Sequence, residues 1–72
     1  MTSMHGLSTP DAILRKALEK ETQARDFYAD LAAGCSVLFV KELLLRLESE
    51  EAKHVHLIQS LLGQLESGKH LG

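Results

Sequence analysis

The 72-residue sequence has one cysteine, one proline, no tryptophan and only two phenylalanines and one tyrosine, so any core must be filled with aliphatic side chains. A lone Cys35 excludes an intramolecular disulfide. The formal charge of −2 spreads over mixed lysines and glutamates, without the basic stripe that neutralises phosphates, which excludes nucleic acid as a partner. No run of about 18 apolar residues occurs, which excludes a membrane-spanning helix. The opening MTSMHGLSTP has neither the charged nor the apolar region of a secretory signal. These absences point to a soluble protein in a reducing cytoplasm. A single core of this size supplies no more than about 3–5 kcal/mol without help from disulfides, metal or oligomerisation. With the first excluded, metal and self-association remain.

What is present is helical. Ser8-Thr9-Pro10-Asp11 reads as a helix start: Thr9 accepts from orphan amides, Pro10 suits the first helical position, and Asp11 complements the dipole. The first helix is predicted over residues 10–33, with Gly34 as a left-handed stop. Ser36 is placed to cap a second helix over residues 37–66, weakened near its end by Gly63 and closed by Ser67-Gly68. A connection of about three residues makes the helices antiparallel neighbours. The expected fold is all-α, an antiparallel two-helix hairpin forming one unit over residues 1–72, with residues 69–72 as a tail.

The helical periodicity carries the first functional signal. Leu14, Ala17, Glu21, Ala24, Tyr28 and Leu31 define one seam at spacings of three and four. In the second helix the rhythm gives Val40, Leu44, Leu47 and Glu51, then His54, Ile58, Leu61 and Leu65. Three ionisable groups, Glu21, Glu51 and His54, therefore interrupt two apolar stripes. A carboxylate taken into a bundle interior costs several kcal/mol unless a partner compensates it, and a cation is the simplest partner. Glu51-x-x-His54 puts carboxylate and imidazole one turn apart on one face. Counted outward from the turn at about 1.5 Å per residue, Glu21 reaches nearly the same height, so the three converge. Two copies about a two-fold axis would offer four glutamates and two histidines at one level, the ligand set of di-iron carboxylate bundles, which predicts a homodimer forming a four-helix bundle.

Glu21-Thr22-Gln23-Ala24-Arg25-Asp26-Phe27-Tyr28 resembles the first-helix motif of rubrerythrins and related ferritin-like proteins. Leu47-Glu48-Ser49-Glu50-Glu51-Ala52-Lys53-His54 resembles their second-helix motif, and the similarity covers roughly residues 12 to 62. Being a two-helix chain, it looks closest to the encapsulated ferritins, whose ferroxidase centre forms between subunits. The resemblance implies that Glu21, Glu51 and His54 are iron ligands and the catalytic residues of a ferroxidase. It also implies a di-iron centre with two irons per dimer, a ring of dimers, and iron storage inside an encapsulin shell. These 72 residues hold no paired-cysteine iron site, so electrons for peroxide reduction would come from elsewhere.

Other residues have narrower readings. Tyr28, two turns after Glu21, is placed to donate a hydrogen bond to a ligand carboxylate, or simply to fill the core. Glu48 and Glu50 suggest an acidic route for incoming iron, or a solvated face. His56 projects away from His54; His5 and His70, near the chain ends, need no role; Cys35 is a free thiol. Zinc and manganese suit the same donors as iron. Two rival functions follow: rubrerythrin-like scavenging of peroxide or oxygen at the same site, and a non-catalytic helical dimerisation module whose buried charges fix pairing.

Overall fold

The computed structural model describes residues 9–68, so His5, His70 and the tail 69–72 lie outside the described residues. Two helices fill this span, α1 over Pro10–Ala33 and α2 over Leu38–Ser67. The start of α1 is built as its sequence suggests. The Thr9 hydroxyl accepts from the Ala12 amide at 3.3 Å, Pro10 occupies the first turn, and Asp11 lies beside the dipole's positive end.

The turn departs from expectation in two places. Gly34 is not left-handed: it sits at φ −94° and ψ 1°, its amide donating to the Asp30 carbonyl at 3.2 Å while Cys35 donates to Ala32 at 3.2 Å. The chain leaves α1 through a tightened right-handed turn that satisfies the last carbonyls without positive φ. Nor does Ser36 cap α2. The N-cap is Val37, extended at φ −90° and ψ 113°, with no side-chain capping bond, and its carbonyl accepts from Lys41 at 2.9 Å. The far end behaves as expected: Gly68 at φ 77° closes α2 and donates to the Leu65 carbonyl at 3.2 Å. Gly63 does not break the helix, which runs through it to Ser67.

The helices pack along their length as an antiparallel hairpin, with Glu21 against His54 and Arg15 against Glu66. At the open end Arg15 bonds Glu66 at 2.6 Å and lies 3.9 Å from Asp11, an exposed cluster worth at most about 1 kcal/mol. Among the described residues only Ala32, Val55 and Leu62 are buried hydrophobics. This rephases the seam of α2: Val55 and Leu62 point at α1, while His54 and Leu61 are exposed beside them. At 3.6 residues per turn, 51-55-58-62-65 is as regular a stripe as 51-54-58-61-65, and apolar residues populate both. Among the described residues, no helix is long and apolar enough to cross a membrane.

Candidate metal centre

Glu21 lies halfway along α1, and Glu51 and His54 lie one turn apart at mid-length of α2. Their levels match because the hairpin is antiparallel and its turn lies almost midway between Glu21 and Glu51. Donor atoms of the three converge within 4.8 Å of one another. His54 Nδ1 stands 3.0 Å from Glu21 Oε1 and 3.4 Å from Glu51 Oε1. With carboxylate oxygens as acceptors, that nitrogen carries the proton. The glutamates lean into the groove, at 33% and 22% side-chain exposure, whereas His54 keeps 54% and stands at the groove's lip.

Their mutual hydrogen bonds shift all three groups from their ordinary values. Hydrogen bonding with Glu51, then with His54, holds the Glu21 carboxyl below its usual range. The Glu51 carboxyl is pushed up, first by its hydrogen bond with Glu21 and then by desolvation. The His54 imidazole is raised, chiefly by its hydrogen bond to Glu21. Two carboxylates this close cannot both ionise cheaply without a positive charge between or beside them. Two carboxylates and one imidazole nitrogen form a donor set suited to a first-row divalent ion. The residues present therefore fit a metal, and among the described residues no other such cluster of histidine, cysteine and acidic side chains occurs.

The remaining residues singled out in the sequence stand apart. Tyr28 is half-buried with its ring 5.6 Å from that of Phe27, and no side-chain hydrogen bond joins it to the trio among the described residues. Glu48 and Glu50, two positions apart, project to different sides of α2; Glu48 is half-buried, and Glu50 is exposed one turn before His54. They do not form one continuous acidic path. His56 is exposed, and the half-buried Cys35 thiol donates to the Val37 carbonyl at 3.6 Å within the turn. Sequence periodicity missed Arg25, half-buried one turn after Glu21, whose guanidinium turns to Asp26 at 3.2 Å instead of the trio. Its i, i+4 spacing from Glu21 was the available signal. Open grooves of about 340 and 350 Å³ lie at the hairpin's open end, away from the trio.

A sequence model of the Rubrerythrin family matches residues 12–72, most of the chain and both motif-bearing helices. The chain belongs to the rubrerythrin family. This places it in the ferritin-like superfamily, whose bundles carry di-iron carboxylate centres. No curated protein and no solved structure matches the chain.

Proposed function

We propose that this rubrerythrin-family chain is a ferroxidase subunit that binds Fe(II) through Glu21, Glu51 and His54 and oxidises it. The observation that carries the reading is the convergence of three donors from two helices, at one level of the hairpin, within 4.8 Å. Iron is the substrate. Two bound Fe(II) ions supply one electron each, either to O2, which leaves with two protons as hydrogen peroxide, or to hydrogen peroxide, which takes two protons and becomes water.

The chain's own part is to assemble negative charge and give up protons. Glu21 is already the ionised member of the trio and attracts the incoming cation. His54 Nδ1 gives up its proton as the metal takes its place, which leaves two carboxylates and one neutral imidazole, a set that favours the more highly charged product. The exposed edge at His54 is where iron and oxidant reach the site. One hairpin supplies three side-chain donors, so a two-iron centre takes its other half from outside this hairpin.

The test is oxidation of Fe(II) followed optically after mixing with oxygen, in the unaltered chain and in Glu21→Ala and His54→Ala variants. Oxidation well above the uncatalysed rate in the unaltered chain alone supports the reading; equal rates in all three refute it. The family match also favours a second reading, reductive scavenging of peroxide at the same residues. Faster turnover with peroxide than with oxygen selects it. Resemblance to encapsulated ferritins further suggests storage in an encapsulin shell, which co-purification of ferric mineral with shell protein would test.

A further inference from the structure

The closed end of the hairpin is apolar on more than one side. Residues 31–40, Leu31-Ala32-Ala33-Gly34-Cys35-Ser36-Val37-Leu38-Phe39-Val40, carry no charge. They include the two most exposed large hydrophobics among the described residues, Phe39 at 76% and Leu38 at 69%, with Leu31 and Val37 exposed beside them. At about 100° per residue, Leu38 and Phe39 leave α2 on opposite sides of the Val55–Leu62 line that meets α1. A flat partner laid along one side of the hairpin would cover one of them and leave the other in water. Whatever covers both must receive the tip end-on.

Charge marks where that burial would stop. Asp30 lies three residues before the end of α1 and Lys41 three residues after the start of α2, so both stand about 4.5 Å from the helix ends, at one level. With the turn beyond them, the uncharged cap matches the about 5–10 Å to which interfacial segments enter the boundary between lipid headgroups and acyl chains. A level charge boundary around a convex apolar tip fits a planar, fluid surface, which closes around side chains pointing in any direction. Behind the boundary the charges are mixed, Asp26, Asp30 and Glu42 against Lys41 and Arg46, so they do not select anionic headgroups. We infer that the closed end, through Leu31, Val37, Leu38 and Phe39, inserts reversibly into the surface of a lipid bilayer. Glu21 lies about 18 Å from the end of α1, so the trio stays clear of the lipid.

The chain has no tryptophan, so one placed by substitution reports its own surroundings. Phe39→Trp mixed with phosphatidylcholine vesicles is expected to shift its emission to the blue and to be quenched by lipids brominated near the headgroup. Leu45→Trp, at an exposed position behind Lys41, is expected to do neither. In flotation with the same vesicles the unaltered chain is expected to rise with the lipid, and Leu38→Ser combined with Phe39→Ser to lose at least about tenfold of that partitioning. Adding phosphatidylglycerol is expected to change partitioning by less than about twofold. Circular dichroism reports whether the double variant is helical, and if it is not, the emission of Phe39→Trp decides alone. An unaltered chain that stays in the aqueous phase overturns the inference and leaves a protein pocket as the receiver of the tip. Equal flotation of a helical double variant, or an equal blue shift in Leu45→Trp, overturns it as well.

Discussion

Glu21 and Glu51 face each other across the hairpin and His54 Nδ1 donates to Glu21 from the side, so a metal ion that binds here competes with the His54 proton. The consequence can be signed. His54 and Glu51 have raised values in the folded chain, so their contribution to the metal-free fold is complete below their unfolded values and is lost as pH rises through the folded ones. Glu21 is lowered, so its contribution is present above its unfolded value and is lost as pH falls through the folded one. The metal-free hairpin is therefore steadiest in mild acid, where Glu21 is ionised and His54 protonated. Metal affinity runs the other way, rising with pH until His54 has lost its proton. Thermal unfolding and metal titration across pH 5 to 8 are expected to show opposite slopes. In His54→Gln the stability slope above pH 6 is expected to flatten. Parallel slopes in the unaltered chain would contradict a site in which metal and the His54 proton compete.

At the scale of the helices, two positions are poorer than the sequence around them. Val37 caps α2 without a side-chain acceptor, and no acidic residue occupies the first turn. Val37→Ser supplies that acceptor and is expected to raise stability by about 1 kcal/mol, read from thermal unfolding. Gly63 lies in a helix interior, and a Cβ there would meet nothing within 4 Å. Gly63→Ala is expected to add up to about 1 kcal/mol, whereas a loss of stability would mean that this face is covered. These positions also show what the sequence made legible. Thr9-Pro10-Asp11 and Ser67-Gly68 marked their helix ends because capping chemistry is local. The turn was less readable, since Gly34 permits a left-handed stop without requiring one, and Ser36 lies one residue too early to cap. The meeting of Glu21, Glu51 and His54 was legible because ionisable residues stand out in an aliphatic stripe. The phase of α2 was not, because leucines flank its seam on both sides and periodicity alone does not choose between them.

For the molecule as a whole, the small core and the metal site belong to one account. Three buried hydrophobics among the described residues cannot hold some fifty helical residues against their conformational entropy, and under the proposed function a bound metal is one source of the missing stability. Under the rival module, in which the trio only fixes pairing, Glu51→Leu would fold as well or better and the unaltered chain would bind no iron. If Fe(II) is the substrate, that variant is expected to keep its helices while losing iron. The most direct test is therefore an anaerobic Fe(II) titration of the full chain beside Glu51→Leu, with bound iron counted per chain. Saturation near one iron per chain, abolished in the variant, is the expected result. A well-folded unaltered chain that binds no iron would contradict the assignment of Glu21, Glu51 and His54 as a metal centre.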